Sequence, residues 1–499
     1  MLEGLLTLIG ELVGGAITVQ YGWETTISSI IAAMASRAAY LLAMPAILVL
    51  CACSTGPYKA TNVPLPIDAP PGMTAAADIT GEHAIALSFS GGGMRAAAFS
   101  YGVLETLRSV RTADGDLLDD VSFITSVSGG SLTAAYFGAF GREGLSRFRQ
   151  EVLLRDLERQ MHTSFLNPMN LIRMLAGSMN ADLAATLDRE VFKGATFRDI
   201  LIRGRPDIRI NATDLHNQIA FPFIPRLFSI ICSDLRSYKV ADAVAASMAV
   251  PLVFSPVELR TYPDNCQEPI PEAITRLRSD PQASRLVKES AAAVDGYRDL
   301  ARVHYLRLAD GGLTDNYGLS TLMVSRAVIG TPSAPMTPRD AVRIRRALFI
   351  IVDAAQKPGG TGDLEENGPT GVDVAMYASA AAVAASARLA ADAFRGALKD
   401  WQDSVIAFRC GLTRKEALSL GATGAWQCAD VRFSLAFLSI DGLDEPYHSR
   451  LAAIPTRLTM DVADVDVTVE GARAGAMLLP QLQDYLADRN GKGPRDTSR

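Results

Sequence analysis

The chain has 499 residues, of which 48% are hydrophobic and 20% are charged, a balance typical of a folded protein. Its net charge of −6, without a basic stripe carrying interleaved aromatic residues, argues against a nucleic-acid partner. Its five histidines and six cysteines show no zinc-type spacing, so the sequence predicts neither a metal site nor a bound cofactor.

The N-terminal region is typical of an exported protein. An apolar run over residues 38–53 follows Arg37 and ends in small residues, which is the order of a secretory signal. Its end, L-C-A-C over residues 50–53, resembles the lipobox of bacterial lipoproteins. That resemblance implies lipidation of Cys53 or, alternatively, of Cys51. A plain N-terminal anchor helix is the other interpretation.

The sequence predicts three parts in chain order. Residues 1–53 form an N-terminal extension plus a lipoprotein-type signal, with 34–52 as the signal proper. A tether rich in Pro and Gly follows over 54–80, and a folded domain spans 81–490 with an insertion near 262–305. We therefore expect a lipoprotein anchored in the cell envelope, in the outer membrane, with the membrane surface as a partner.

A strand, a glycine loop and a helix open the predicted domain. Residues 83–90 favour a strand, G-G-G-M-R follows at 91–95, and 97–110 carry apolar residues at helical spacing. Backbone N–H groups of such a loop can face an anion, which suits an oxyanion hole. Dinucleotide binding is the alternative, because G-x-G-x-x-A also begins at Gly91. Dinucleotide binding requires an acidic residue at the end of the next strand. The sequence has none there, which argues against this alternative.

The next strand ends in a serine. Residues 121–127 are β-branched and aromatic, Ser128 and two glycines follow, and 131–140 are compatible with a helix. A sharp turn from strand to helix pushes a serine hydroxyl outward above the helix N-terminus. Ser128 is therefore the candidate nucleophile. Ser126 stands where the usual G-x-S-x-G pattern has its first glycine, and we expect it to crowd the turn slightly.

Three motifs in this order resemble the patatin-like phospholipases: the glycine loop with its arginine, the Ser128 turn, and D-G-G at 310–312. N-A-T-D at 211–214 and a small-residue helix with a Pro-Phe turn at 243–254 support the resemblance, which extends over about 84–316. Alternating strands and helices predict an α/β sheet with helices on both faces. The resemblance implies a three-layer α/β/α sandwich with a mostly parallel central sheet.

The resemblance also implies a serine acyl hydrolase that cleaves carboxylic esters of lipids or phospholipids through an acyl-enzyme. Asp310 would be the base in a Ser-Asp dyad with Ser128, because a free serine hydroxyl is a poor nucleophile. A triad with histidine would have to use His448, the only histidine after Asp310. The competing classes are a non-enzymatic envelope lipoprotein that uses the fold as a binding module and a nucleotide-binding oxidoreductase.

The glycine loop has the remaining implied roles. Gly92 and Gly93, with Gly91 next, would donate N–H groups to the oxyanion. Arg95 would steady the loop or contact a substrate phosphate, and a solvated loop arginine is the alternative. We expect Asp315 and Asn316, which follow the D-G-G motif, to form a turn. Asp214 is interpreted either as part of the supporting N-A-T-D match or as a structural cap after the strand over 208–212.

Later elements complete the prediction. Residues 346–354 and 431–440 favour strands, 356–367 a glycine-rich loop, 372–401 an alanine-rich helix on the sheet, and 471–488 a final amphipathic helix.

Four cysteines follow the signal, and an even number permits disulfides in an exported protein. Cys410–Cys428 would close a short loop and leave Cys232–Cys266, with free buried thiols as the alternative.

Overall fold

The computed structural model describes residues 60–68, 81–160, 179–251, 253–355 and 371–491. All of them fall within one compact unit, Tyr58–Arg499. Cys51, Cys53 and the loop predicted at 356–367 lie outside the described residues. No helix in the described part of the chain is long and apolar enough to cross a membrane.

One mostly parallel sheet organises the described residues. Its eight strands are β1 His83–Phe89, β2 Val121–Val127, β3 Asp207–Asp214, β4 Ile219–Pro222, β5 Val257–Arg260, β6 Tyr305–Asp310, β7 Arg346–Asp353 and β8 Arg432–Ser439. The order is β5-β6-β3-β2-β1-β7-β8, and β4 pairs with β3. The pairs β3–β2, β2–β1, β1–β7 and β7–β8 are parallel. The pairs β3–β4, β3–β6 and β6–β5, at the other side of the sheet, are antiparallel.

Helices connect these strands. The α-helices are α1 Gly93–Ser109, α2 Gly129–Phe148, α3 Leu157–Gln160, α4 Met179–Thr186, α5 Phe197–Arg203, α6 Pro225–Ile230, α7 Val240–Ser247, α8 Glu272–Ser279, α9 Arg285–Gly296, α10 Gly312–Asp315, α11 Ser320–Ile329, α12 Pro338–Arg343, α13 Gly371–Cys410, α14 Arg414–Ser419, α15 Tyr447–Ala453, α16 Val462–Leu478 and α17 Pro480–Arg489. Short π-helical turns at Arg149–Leu153 and Leu187–Phe192 follow α2 and α4.

The two faces of the sheet bury separate cores. In β7, Leu348 and Ile350 pack into a core shared with α1, α2 and α16, whereas Phe349 and Ile351 pack into a second core shared with α11 and α13. This alternation follows from the period-2 side-chain geometry of a strand, and both faces are apolar because both are covered. The predicted α/β/α sandwich is confirmed.

The C-terminal helix differs from the prediction. Instead of one helix over 471–488, the structure has α16 and α17, which meet at Pro480. Proline has no N–H for the helical ladder and forces the preceding residue, Leu479, into an extended conformation. Pro480 therefore begins a new helix. The alanine-rich helix α13 also extends to Cys410, beyond the predicted end at residue 401.

Part of the predicted tether belongs to the fold. The N–H of Leu65 donates to the Cys232 carbonyl at 2.9 Å, and the Tyr262 hydroxyl donates to the Asn62 carbonyl at 2.8 Å. The Asn62 amide also exchanges two hydrogen bonds with the backbone of Arg260. Residues 60–68 are thus held along β5 and the segment that follows it, unlike the free tether expected there.

Candidate active site

Ser128 lies at the turn between β2 and α2, in a backbone conformation that side-chain-bearing residues rarely adopt (φ 49°, ψ −125°). The turn depends on its glycine neighbour, because a Cβ on Gly129 would lie 1.9 Å from the Gly93 carbonyl oxygen. The Ser128 N–H donates to Ser247 Oγ at 2.8 Å. The strand and the elbow therefore occur where the sequence predicted them, and the elbow touches the glycine loop.

Asp310 ends β6 and faces this serine. Its carboxylate accepts a hydrogen bond at 2.8 Å from the Gly312 N–H and lies close enough to the Ser128 hydroxyl for that hydroxyl to lower its pKa. Burial is the larger effect and raises the pKa of Asp310 to about 6, although the Ser128 hydroxyl and the Gly312 N–H act in the opposite direction. A buried carboxylate with a raised pKa is a better proton acceptor than an exposed one. The structure thus brings together the two residues of the predicted dyad.

The glycine loop passes beside the serine. A Cβ on Gly91 would lie 3.2 Å from Ser128 Cβ, and Gly92 and Gly93 have φ angles of 140° and 62°. The Gly91 N–H donates to Asn316 Oδ1 at 3.1 Å, so it is not available to an oxyanion in this conformation. Among the described residues, no acceptor pairs with the N–H of Gly92 or Gly93, which begin α1. The predicted donor set is therefore reduced to Gly92 and Gly93.

Arg95 is fully buried beneath the loop. Its Nε and Nη2 donate to the Ala354 carbonyl at 3.2 and 3.0 Å, Nη2 also donates to Thr456 Oγ1, and Nη1 donates to the Ile454 carbonyl. Burial lowers the pKa of Arg95 to about 10, so the group stays charged at neutral pH. These contacts agree with a role of Arg95 in supporting the loop. They do not agree with a solvated arginine or with contact to a substrate phosphate, because the guanidinium faces backbone carbonyls inside the protein.

A network of serine hydroxyls lies beneath the elbow. Ser247 Oγ accepts from the Ser128 N–H, donates to the Asn211 carbonyl at 2.6 Å and contacts Ser131 Oγ at 3.1 Å. Ser126 is fully buried and donates to the Arg209 carbonyl at 3.0 Å, so its hydroxyl is accommodated within β2 and its neighbours and does not crowd the turn. Sequence reasoning missed Ser247. The available signal was the one hydroxyl in the otherwise apolar stretch 243–254 that supports the resemblance.

Asn316 is the second missed residue. The sequence suggested only a turn, yet its side chain joins the glycine loop to the turn that carries Asp310. Asp315 does have the expected turn role, accepting from the N–H groups of Tyr317 at 3.1 Å and Ser320 at 2.6 Å. Asp214 accepts from the Asn217 amide and the Tyr297 hydroxyl, as a structural cap would.

The remaining candidates lie elsewhere. The His448 side chain is 43% exposed on α15 and pairs with Glu445 at 3.5 Å, so the structure does not bring it to the dyad. Both expected disulfides, Cys232–Cys266 and Cys410–Cys428, are formed. No group of three or more metal-ligating side chains occurs in the described part of the chain.

Comparisons with known proteins agree with the sequence motifs. Residues 87–323 match the family model described as patatin-like phospholipase, which confirms the resemblance for that stretch. No curated protein matches the chain. Similar solved structures include human GIVD cytosolic phospholipase A2 (12% identity, TM-score 0.30, 55% of this chain and 46% of that one). The same human protein in complex with methyl gamma-linolenyl fluorophosphonate aligns at 11% identity and TM-score 0.35, over 82% and 60%. The chain thus spans less than two thirds of these relatives.

Proposed function

We propose that this protein, whose residues 87–323 match the patatin-like phospholipase model, is a serine-dependent acyl hydrolase that cleaves carboxylic esters of lipids. The observation that carries the proposal is that the buried Asp310 carboxylate faces the Ser128 hydroxyl closely enough for that hydroxyl to affect its pKa, beside Gly92 and Gly93, whose N–H groups have no acceptor among the described residues. A nucleophile, a base and oxyanion donors within one small site are the parts that acyl transfer requires.

In the proposed reaction, Ser128 Oγ attacks the carbonyl carbon of the ester while Asp310 accepts its proton. The N–H groups of Gly92 and Gly93 stabilise the negative charge that develops on the carbonyl oxygen. The intermediate collapses, the alcohol leaves with the proton from Asp310, and the acyl group stays on Ser128. Water then attacks the acyl-enzyme, again with Asp310 as base, and releases the carboxylic acid.

Burial supports the role of Asp310 as a base. An unperturbed aspartate has a pKa of about 3.9 and would hold a proton poorly. Burial raises the pKa of Asp310 to about 6, which brings it closer to neutral pH while leaving the group ionised there. A Ser-Asp pair without histidine can then transfer the proton of Ser128.

The first experiment measures fatty-acid release from phospholipid vesicles and from a soluble short-chain ester. Wild type is compared with Ser128→Ala and Asp310→Asn, and with Ser122→Ala as a matched control, because Ser122 lies on the same strand away from the elbow. We expect both dyad variants to lose activity and the control to keep it, with equal circular dichroism. Equal activity in all four proteins would refute the proposal and favour the non-enzymatic binding module.

Cellular location is a second part of the proposal. We propose a lipoprotein anchored in the cell envelope through Cys53, or alternatively Cys51, in the outer membrane. The two disulfides support passage through an oxidising compartment, where such bonds form and persist. Metabolic labelling with a clickable fatty acid should label the wild type and lose the label in Cys53→Ser or, for the alternative, in Cys51→Ser. An unlabelled wild type would exclude the anchor.

A further inference from the structure

One face of helix α13 (Gly371–Cys410) changes character along its length. Exposed side chains recur at helical spacing along this face. In the first half they are Val374, Tyr377, Ala378, Ala381 and Ala382, and in the second half they include Arg388, Asp392, Arg395 and Lys399. From residue 374 onward, the exposed surface that the structure describes therefore passes from uncharged to charged at Arg388.

The uncharged half is unusual for this protein. Residues 374–387 contain no Asp, Glu, Lys, Arg or His, although 20% of the whole chain is charged. Val374 is 51% exposed and Tyr377 is 43% exposed. Of the side chains described between 374 and 386, none is buried, whereas Phe394, Leu398 and Trp401 in the second half pack into the core against the sheet. An ordinary solvent-facing helix carries charges on such a face.

This uncharged half also borders the candidate site. Helix α10 (Gly312–Asp315) packs against α13, and a Cβ on Gly312 would lie 3.5 Å from Val383 Cγ1. The N–H of the same Gly312 holds the Asp310 carboxylate. The exposed apolar residues are therefore on the helix that touches the turn carrying the candidate base.

We propose that the first half of α13, residues 374–387, is a membrane-docking face that seats the active site on a phospholipid surface. The proposal rests on the proposed lipid hydrolase function and adds a surface distinct from the N-terminal anchor. A face without charges enters the boundary between headgroups and acyl chains at no ionic desolvation cost, and a tyrosine suits that boundary. The charged second half remains in water, and Arg388 marks the headgroup level.

A site-specific probe tests contact with lipid in the full chain. An environment-sensitive fluorophore is attached at Tyr377→Cys or, as a matched control, at Leu389→Cys, which is 72% exposed near the start of the charged half. Cys51→Ser and Cys53→Ser remove competing thiols, the four remaining cysteines are in disulfides, and Ser128→Ala prevents turnover. With phosphatidylcholine–phosphatidylglycerol vesicles, doxyl-labelled lipid should quench the probe at 377 strongly and the probe at 389 weakly.

Equal quenching at both positions would overturn the proposal. So would a spectral change at 377 that depends on protein concentration without vesicles, because a second copy of the chain would then cover the face. This binding assay does not need catalysis. If Ser128 proved not to be a nucleophile, the hydrolase function would fail while quenching at 377 could still be measured.

Kinetics provide the second test. The double variant Val374→Asp/Tyr377→Asp should lose about tenfold or more in activity on vesicles, because two apolar contacts are replaced by charges. Its kcat/KM for a soluble short-chain ester should stay within about twofold of wild type, and Leu389→Asp should keep both activities. Unchanged vesicle activity would contradict the proposal. An equal loss on both substrates would also do so, since the face would then support the site and not lipid contact.

Discussion

Asp310 and Asp315 begin and end the same short turn, and both carboxylates are buried. Burial raises the pKa of each one above its usual value. They differ in their surroundings: Asp315 accepts from the backbone N–H groups of Tyr317 and Ser320 and interacts with the Ser320 hydroxyl, whereas Asp310 accepts from the Gly312 N–H and faces the hydroxyl of Ser128 at the strand–helix elbow. A raised pKa alone thus does not identify a catalytic base. The chemistry depends on which donor faces the carboxylate.

The largest expected effect separates these two carboxylates. Asp310→Asn should lower kcat by roughly 10²–10⁴-fold, the usual contribution of a general base, with the fold retained. Asp315→Asn should cost about 1–3 kcal/mol of unfolding free energy, because backbone N–H groups lose a charged acceptor, and should reduce kcat far less. Kinetics on the soluble ester measure kcat for the two variants, and urea unfolding measures their free energy of unfolding. If Asp315→Asn were stable and as inactive as Asp310→Asn, the division of roles would be wrong.

Asn316 follows Asp315 in sequence and connects this turn to the glycine loop. Asn316→Ala releases the Gly91 N–H, so the N–H groups of Gly92 and Gly93 should be less well placed, with a loss of up to about 10²-fold in kcat and little change in KM. Asn316→Asp keeps the acceptor and should restore part of kcat. The negative charge that this variant adds near Asp310 should raise the pKa of Asp310 and shift the acid limb of the pH profile to higher pH. A higher KM with an unchanged kcat would instead assign Asn316 to substrate binding.

The pH dependence follows from the raised pKa of Asp310. Protonated Asp310 cannot accept the proton of Ser128, so kcat/KM should fall below pH 6, by about tenfold at one unit below the pKa. The effect on stability has the opposite sign, because the folded-state pKa is raised above the unfolded value of about 3.9. The cost of ionising Asp310 in the folded protein builds up between about pH 4 and about pH 6 and is constant above that. Asp310→Asn should therefore raise the free energy of unfolding by up to roughly 3 kcal/mol at pH 8 and by little at pH 4. A pH profile flat from 5 to 8 would exclude Asp310 as the base.

The smallest expected effect concerns the support of the nucleophile. Ser247→Ala leaves the Ser128 N–H and the Asn211 carbonyl without a partner, which should cost about 1–3 kcal/mol of stability and several-fold in kcat. Ser131→Ala is the matched control, because the Ser131 hydroxyl contacts Ser247 Oγ, whereas its hydrogen bond to the Ser128 carbonyl comes from the backbone N–H, which alanine retains. Equal kcat losses in both variants would mean that the network acts only through general packing.

Much of the site could be predicted because its parts are local. The strand over 121–127, the elbow at Ser128, the glycine loop and the strand end at Asp310 each depend on a few consecutive residues. Strand β2 begins and ends where the alternating and β-branched residues placed it. Pro480 was also a local signal, and the break between α16 and α17 follows from proline geometry that the prediction of one helix overlooked.

The remaining residues could not be assigned in this way because their partners are distant in sequence. Arg95 is bonded to Ala354, Ile454 and Thr456, and residues 60–68 pair with the segments around Cys232 and Arg260. No local pattern distinguishes a buried loop arginine from a solvated one, since only the elements that later cover it decide its exposure.

The sequence by itself determined the alternation of strands and helices, the nucleophile elbow and the order of the motifs, because these follow from short-range backbone preferences and hydrophobic periodicity. Tertiary structure decided which groups meet. It placed Asp310 against Ser128, bound Gly91 to Asn316 and left the N–H groups of Gly92 and Gly93 without an acceptor among the described residues, and it set the uncharged half of α13 beside the turn that carries Asp310. These contacts join segments far apart in the chain, and their energies depend on burial and hydrogen bonding that exist only after the sheet has assembled.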